Sequence, residues 1–324
     1  MVKSKKVTLK EVAAAVNLAV PTVSQILNGR KNFCSEEQCR KVRETAQKMG
    51  YITNIGYRIM TGMETRTVGI MVACEEQMQE HHTRELVLLL TGKLSEKGWA
   101  AFCHVLPTTP AEAIGKVQEF IGRGVEKFIF IGLPFGHDEI FPILEKNNIP
   151  YIGNRETMSC FCRSDSPNAR LQLLSHLDRK TGGKFRIAWW KREVSENFFI
   201  QRSDIPDVTG KLVELPKSTC GDYYESTFQH GYDTIKKLLE NESEISGLMF
   251  PNDAYALGAA HYLWEHKIEN FTLIGFNGDR ELFRFPYPAC TGIQPLELIA
   301  DEMTAFIKDN VLRQKFVPVE LILK

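Results

Sequence analysis

The sequence predicts an N-terminal all-α domain followed by a larger α/β body. In the first fifty of its 324 residues, apolar side chains recur at helical spacing, whereas from Thr67 onward short apolar strands alternate with helical segments. The charge changes at the same place. Residues 1–62 hold eleven Lys or Arg against four Asp or Glu, a net charge of +7, although the whole chain is formally neutral. A basic head on an acidic body is expected when only the head meets phosphate groups, so the charge favours nucleic acid as a partner.

Residues 8–29 are typical of a helix-turn-helix. Thr8 and Glu11 match the Ser/Thr-x-x-Glu capping box, and apolar residues follow at i, i+3, i+4 and i+7 along one helix face. After a short break at 17–19, Pro21 suits the first turn of a second helix and Gly29 suits the position just past its end. Such a second helix can enter the major groove of DNA. From this stretch alone, a plain helical hairpin is the alternative.

A third helix and a connecting segment complete the N-terminal region. Ser35 and Gln38 match a second capping box, and Gly50 ends the helix. We therefore assign residues 1–50 to a helix-turn-helix domain. Residues 51–66 lack the apolar mass for a core of their own, so we assign them to a hinge segment, with a flexible tether as the alternative.

Residues 67–324 form the body, in which apolar strands alternate with helices. Continuous apolar strands are typical of a parallel sheet that is covered on both faces. The strand candidates, in chain order, are TVGIMVA, WAAFCHVL, KFIFIGL, IPYIGN, FRIAWW, KLVEL, GLMF and FTLIGF, with VPVELILK last.

Other classes of protein are disfavoured by the sequence. No Gly-x-Gly-x-x-Gly follows a strand, and neither a P-loop nor a serine elbow occurs, so we expect no enzyme and no cofactor. Cys160-x-Cys162 could suggest a metal, but no further ligand lies at a suitable spacing, and we expect a strand there instead. No apolar run approaches the roughly eighteen residues of a membrane helix, and no signal peptide is visible. We therefore expect a cytoplasmic protein that contacts no membrane.

Several motifs together resemble one known family. VTLKEVAAAV, VPTVSQILNG, SEEQCRKVRETAQKMGYITN and TRTVGI are similar to the N-terminal signature of the lactose-repressor family of bacterial transcription regulators, and FPNDAYALGA and LIGFNGD recur far downstream. The resemblance implies a periplasmic-binding-protein-like body of two parallel-sheet subdomains with a cleft between their strand ends. It also implies crossovers between the subdomains near 178–184, 289–294 and 311–317.

The resemblance assigns DNA contacts to the head. The positions facing the bases are Val20, Pro21 and Gln25, and Gln25 stands where arginine is common. A glutamine suits adenine, whereas arginine suits guanine, so the preferred operator changes accordingly. The further predicted DNA contacts are Thr8, Thr22, Ser24, Asn28, Arg30, Lys31, Asn54 and Met60.

The hinge departs from the family pattern. In the family, this segment becomes a helix when it is paired with its dimer mate on DNA, and a leucine wedges into the minor groove. Met60 holds the leucine position here, and Asn54 would cap the helix. Gly56 disfavours helix by about 1 kcal/mol, and Tyr57 replaces a small residue that faces the partner helix. Both departures favour the tether.

The resemblance also assigns effector contacts to the cleft. The predicted residues are Asp165, Arg202, Tyr223, Asn252, Asp253, Asn277 and Gln294. Asn277 stands where sugar-binding members usually carry aspartate, and an amide can donate a hydrogen bond that a carboxylate cannot. The alternative for these residues is maintenance of the fold, with Asp253 capping a helix and Gln294 serving the crossover.

The sequence therefore predicts a homodimeric transcriptional regulator, a repressor, that binds operator double-stranded DNA and responds to a small molecule. The resemblance implies a sugar or a sugar derivative as the effector. Two alternatives are a regulator that is controlled by a partner protein, and a sugar-binding module without regulatory DNA binding.

Overall fold

The computed structural model describes residues 6–27, 34–52, 55–60, 62–132, 137–189, 211–216 and 223–324. The chain divides into two compact units, Met1–Thr65 and Arg66–Lys324. This division falls one residue before the boundary that the sequence suggests.

The head contains three packed helices: α1 (Leu9–Val16), α2 (Val20–Leu27) and α3 (Glu36–Lys48). The capping box forms as predicted, because the Thr8 hydroxyl accepts a hydrogen bond from the Glu11 amide (3.3 Å) and the Glu11 carboxylate accepts one from the Thr8 amide (2.7 Å). Asn17 ends α1 in the left-handed region (φ 53°), which asparagine tolerates better than most residues. The three helices share one core, which includes Val12, Val23 and Val42.

A short helix, α4 (Ile55–Met60), forms in the hinge segment. It contains Gly56, so the unfavourable propensity of one glycine does not prevent a helical turn here.

The body contains the following strands and helices in chain order. They are β1 (Thr67–Val72), α5 (Glu75–Gln79), α6 (His81–Glu96), β2 (Ala100–Val105), α7 (Pro110–Gly122), β3 (Lys127–Ile131), α8 (Ile140–Lys146), β4 (Tyr151–Gly153), β5 (Phe161–Ser164), α9 (Ser166–Thr181), β6 (Phe185–Trp189), β7 (Leu212–Glu214), α10 (Tyr223–Asn241), β8 (Gly247–Met249), α11 (Asp253–Glu265), β9 (Thr272–Ile274), α12 (Arg280–Arg284), β10 (Ala289–Ile293), α13 (Leu296–Asp309), β11 (Gln314–Val317) and β12 (Glu320–Ile322).

The strands form two six-stranded sheets, which define an N-terminal and a C-terminal subdomain. The N-terminal sheet has the order β11-β5-β4-β3-β1-β2, and its pairs are parallel. The C-terminal sheet has the order β12-β10-β9-β8-β6-β7 and is parallel except for β12, which pairs antiparallel with β10. The predicted fold class, a helical head followed by two parallel-sheet subdomains, is confirmed.

The chain passes between the subdomains three times. It first leaves the N-terminal sheet after Ser164, and helix α9 already packs on the C-terminal sheet through Leu173, Leu174 and Leu177. The prediction of this crossover near 178–184 is therefore wrong by the length of a helix, because the apolar face of α9 belongs to the second core. The later crossovers lie between β10 and α13 and between β11 and β12, next to the predicted positions 289–294 and 311–317.

Each sheet has apolar clusters of its own. Helices α6 and α13 cover the N-terminal sheet, with Leu90 and Met303 among their fully buried residues. Helices α10 and α11 cover the C-terminal sheet, with Ile235 and Tyr255 buried. Cys162 lies in strand β5, which begins just after Cys160, and both cysteines are buried in the N-terminal core. Within the part of the chain that the structure describes, no helix is both long enough and apolar enough to cross a membrane.

Candidate functional site

Helix α2 presents the predicted base-facing residues at its start. Pro21 is exposed in the first turn, and Val20, Thr22 and Gln25 are half-buried. Ser24, a predicted phosphate contact, is only 5% exposed and belongs to the interior of the head. At the start of this helix, the predicted contacts with surface available for DNA are Val20, Pro21, Thr22 and Gln25.

Thr8 is exposed, but its hydroxyl is already used inside the head. It accepts from the Glu11 amide and donates to the Glu11 carboxylate (2.9 Å), so a phosphate contact would compete with the capping box. Several predicted residues lie outside the described residues: Asn28, Arg30, Lys31, Asn54 and Arg202. Met60 ends α4 and Tyr223 begins α10, but their side chains are also outside the described part.

A cleft of about 720 Å³ lies between the two subdomains of the body. It is lined from both sheets at the carboxyl ends of strands, where ligands of open parallel sheets are usually bound. Asn154 follows β4, Ser164 ends β5, Trp189 ends β6 and Gln294 follows β10. Of the predicted effector residues, Asn252, Asn277 and Gln294 line this cleft.

Asn252 connects the two walls of the cleft. Its side-chain oxygen accepts a hydrogen bond from the Tyr255 amide (3.3 Å), which caps helix α11. Its side-chain nitrogen donates to the carboxylate of Glu80, 3.1 Å away in the N-terminal subdomain. The cap that was expected of Asp253 is thus made by Asn252.

Asp253 is buried, with 2% of its surface exposed, and its carboxylate serves the fold. It accepts hydrogen bonds from the Thr291 hydroxyl (2.8 Å) and from the Asp279 amide (2.7 Å). Burial raises the pKa of Asp253 to about 7, although the hydrogen bonds from Asp279 and Thr291 oppose that rise. Asp253 therefore holds the turn that follows Asn277 through the amide of Asp279. Both of its hydrogen-bond partners belong to its own subdomain.

Asn277 belongs to a hydrogen-bonded row at the subdomain crossover. Ser164 donates through its hydroxyl to the side-chain oxygen of Gln294 (2.9 Å), and the side-chain nitrogen of Gln294 donates to the oxygen of Asn277 (2.8 Å). The row has one direction, so the amide nitrogen of Asn277 is the group that remains for a ligand. Asn277 also has a positive φ of 109°, a region in which asparagine is enriched.

Asp165 lies at the first crossover and begins helix α9. Its carboxylate accepts from the Asn168 amide (3.4 Å) as an N-cap. Its neighbours Ser164 and Ser166 line the cleft. Asp165 is therefore next to the cleft, as an effector residue would be, but its side chain caps helix α9.

Arg170 belongs to the cleft wall, a position that the sequence pattern did not reveal, and it contacts two aromatic residues there. The guanidinium carbon of Arg170 lies 4.8 Å from the centroid of the Trp189 ring and 4.4 Å from that of Phe276. One of its nitrogens donates to the carbonyl of Pro251 (3.1 Å). Arg170 is five residues inside a helix, where sequence alone suggests a solvated charge.

His82 is another lining residue that was not predicted. Burial lowers the pKa of His82 to about 4, with smaller contributions from His81 and Arg170. The imidazole is therefore neutral at physiological pH, so it can both donate and accept a hydrogen bond.

Comparison with known proteins identifies the group to which this chain is related. No protein-family profile matches it. The maltose regulon regulatory protein MalI of Escherichia coli is 23% identical over 270 residues, which is 80% of this chain and 75% of that protein. The HTH-type transcriptional regulator CelR of Thermobifida fusca is 23% identical over 344 residues, with 100% and 97% of the two chains covered. The chain is therefore similar over most of its length to transcriptional regulators of the lactose-repressor family.

Solved structures agree with this assignment at the level of the fold. A crystal structure of the lac repressor dimer bound to operator and the anti-inducer ONPF covers 98% of both chains, with a TM-score of 0.78 and 17% identity. A subunit of an ABC sugar transporter from Rhodobacter sphaeroides covers 81% of this chain and 99% of its own, with a TM-score of 0.66 and 16% identity. The chain therefore shares the fold of the lac repressor over 98% of its length.

Proposed function

We propose that this protein is a sequence-specific DNA-binding transcriptional regulator, a repressor, whose affinity for its operator is controlled by a small molecule in the cleft. One observation carries the proposal: a helix-turn-helix head with an accessible recognition helix shares a chain with a body whose two sheets enclose a polar cleft.

The head would bind operator DNA through the start of α2. Pro21, Thr22 and Gln25 have accessible surface at that end, and Gln25 can form two hydrogen bonds with an adenine. Asn28, Arg30 and Lys31 follow in the sequence and would add contacts to phosphate groups. Two heads of a homodimer would bind two half-sites of a pseudo-palindromic operator.

The cleft would bind the effector. One structural neighbour is described as a CelR–cellobiose complex and another as the lac repressor with the anti-inducer ONPF, so a sugar or a sugar derivative is the class that we propose for this chain. Asn252, Asn277 and Gln294 would hydrogen-bond it, with Arg202 and Tyr223 as further candidates from the sequence.

Effector and operator would then act on one equilibrium. A ligand that favours one arrangement of the two subdomains changes the operator affinity, and the operator must change the ligand affinity by the same factor. We include in the proposal that the protein is cytoplasmic and has no enzymatic activity, because its relatives are regulators.

In vitro selection from a random duplex library tests the DNA-binding part. We expect a palindromic motif whose affinity for the full chain falls by about a thousandfold or more between about 50 and 200 mM salt, given six to ten phosphate contacts. Failure to enrich any motif, or an affinity that is nearly independent of salt, would favour a sugar-binding module without regulatory DNA binding.

The selected operator also tests control by a ligand. Fluorescence anisotropy of the protein–operator complex should change when a sugar that raises the Tm of the protein is added. If stabilising sugars leave operator affinity unchanged, control by a partner protein becomes the better hypothesis.

A further inference from the structure

Among the described residues, three arginines and three glutamates line the cleft, and the arginines are on the whole the more buried. Three half-buried guanidinium groups line it: Arg155, Arg163 and Arg170. The carboxylates of the described lining residues differ in exposure. Glu76 and Glu156 are exposed, and Glu80 is half-buried. Glu80 is already bound to the amide of Asn252. His82 is neutral and adds no charge to the cleft.

Arg163 is held in β5 with a side chain that is 16% exposed. It forms an ion pair with Glu156 at 3.6 Å, and the Glu156 side chain is 52% exposed. Burial lowers the pKa of the Arg163 guanidinium, more than Glu156 raises it. The ion pair with Glu156 is partly screened by water, so an anion in the cleft would add to the stabilisation of this guanidinium.

The guanidinium of Arg170 lies over two aromatic rings of the cleft wall. Its carbon is 4.8 Å from the centroid of the Trp189 ring and 4.4 Å from that of the Phe276 ring, so the cation occupies these ring faces. The in-plane donors of a guanidinium suit the two oxygens of a carboxylate or a phosphate. A neutral sugar ring would instead stack on an open aromatic face.

Two further features of the cleft favour acceptor groups on the ligand. The direction of the row from Ser164 through Gln294 leaves the Asn277 nitrogen as a donor. Helices α9 and α11, which have sixteen and thirteen residues, both begin at residues beside the cleft, and their N-terminal partial charge is positive.

Resting on the proposed role of the cleft as the effector site, we propose that the effector is an anionic sugar derivative, with a carboxylate or phosphate bound by Arg163 and Arg170. The Asn277 amide would donate a further hydrogen bond to the same ligand.

Calorimetry on the full chain tests this assignment with matched ligands. The panel is glucose and galactose, each with its uronate, its aldonate and its 6-phosphate, with inorganic phosphate and sodium chloride at equal ionic strength. We expect at least one acidic member to bind more than about tenfold tighter than its neutral parent, since hydrogen bonds between charged groups are among the strongest. Preferential binding of a uronate or an aldonate would identify a carboxylate as the bound group, and preferential binding of a 6-phosphate would identify a phosphate.

Three variants separate the cleft from general charge effects. Arg163→Gln and Arg170→Gln should each remove most of the preference for the acidic member. Arg123→Gln, at an exposed arginine after α7, should retain it. Arg163→Lys keeps the charge and should retain part of the preference, which protects the test if a glutamine variant does not fold.

The outcomes distinguish this inference from the proposed function. Two results would overturn the anionic effector. In the first, neutral sugars bind as tightly as their acids. In the second, no acidic member of the panel binds even at about 10 mM, a concentration that detects very weak affinity. Salt-dependent binding of the selected operator would then still support a regulator. If no operator is selected but the acidic preference is present and arginine-dependent, the anionic site stands and the regulatory function fails.

Discussion

The side-chain nitrogen of Asn252 donates a 3.1 Å hydrogen bond to the carboxylate of Glu80, and the two residues belong to opposite subdomains of the body. Glu80 lies between α5 and α6, and Asn252 caps α11, so the bond joins two helix starts across the cleft. Beside it, Arg280 approaches Glu85 at 3.8 Å, an exposed pair that contributes little. The Glu80–Asn252 bond is therefore the stronger of these two links across the cleft.

Glu80→Ala should shift the body toward a more open cleft. The variant loses one hydrogen bond to a charged acceptor, worth about 1.5–3 kcal/mol, so the ratio of closed to open molecules should fall roughly ten- to a hundredfold. Small-angle scattering on the protein without ligand would measure the change as a larger radius of gyration. Glu80→Gln, which keeps an acceptor oxygen, should show a smaller shift, and Glu76→Ala at the exposed rim should show none. Equal scattering from all four proteins would make the bond incidental to closure.

Gln25→Ala should relax the sequence preference at one base position in each half-site. Loss of a bidentate contact with adenine costs about 1–3 kcal/mol at that position and little at the others. Anisotropy with operators that carry each base there would measure the change, and Thr22→Ala serves as the neighbouring control. Uniform weakening on all operators would instead make Gln25 a residue that positions the helix.

Met60→Ala tests the hinge, in which α4 ends at Met60. If Met60 is a minor-groove wedge, the variant should bend the operator less and bind it more weakly, because unstacking of a base step is what permits the bend. Effector affinity of the free protein should be unchanged. Gel-shift phasing measures the bend angle. An angle equal to that of the wild type would leave residues 51–66 as a tether.

Asp253 should make stability depend on pH. Burial raises the pKa of Asp253 in the folded protein to about 7 from 3.8, so between these values the folded state binds more protons than the unfolded state. The contribution of this group is therefore fully present below about pH 4 and is lost as pH rises toward 7, with a slope of up to about 1.4 kcal/mol per pH unit. Urea unfolding of wild type and Asp253→Asn at pH 5, 6 and 7 measures it. The difference between the two proteins in unfolding free energy should change steadily with pH, and a constant difference would contradict the raised pKa.

The fold could be predicted from the sequence where the signals are local. The capping box of Thr8 and Glu11 and the left-handed Asn17 lie within ten residues of each other, so their geometry follows from short-range hydrogen bonds. The alternation of apolar strands and helices likewise predicts parallel sheets. The first crossover was misplaced because the face of α9 that is buried depends on which sheet it meets.

The cleft could be predicted only in part. Asn252, Asn277 and Gln294 follow strand ends, where a sequence can indicate a site. Arg163 lies inside a strand and Arg170 inside a helix, and an isolated charge at such a position usually faces water. Arg170 reaches the cleft wall through its contacts with Trp189 and Phe276, which come from other elements of the fold. Arg163 lines the cleft because β5 ends there, and Glu80 does so through a bond to a residue 172 positions away.

Asn277→Asp should weaken binding of an anionic effector while leaving the fold intact. The two side chains have nearly the same volume, and both tolerate the positive φ of 109° at this position. The carboxylate can still accept from Gln294, so the row from Ser164 is kept. It cannot donate, however, and it places a negative charge beside the bound acid. A lost donor to a charged group costs about 1.5–3 kcal/mol, which is a ten- to hundredfold weaker Kd. Calorimetry with the acidic ligand and its neutral parent measures this change. Tighter binding of the neutral sugar by the variant, with the acid unaffected, would show that Asn277 accepts from a hydroxyl-bearing ligand instead.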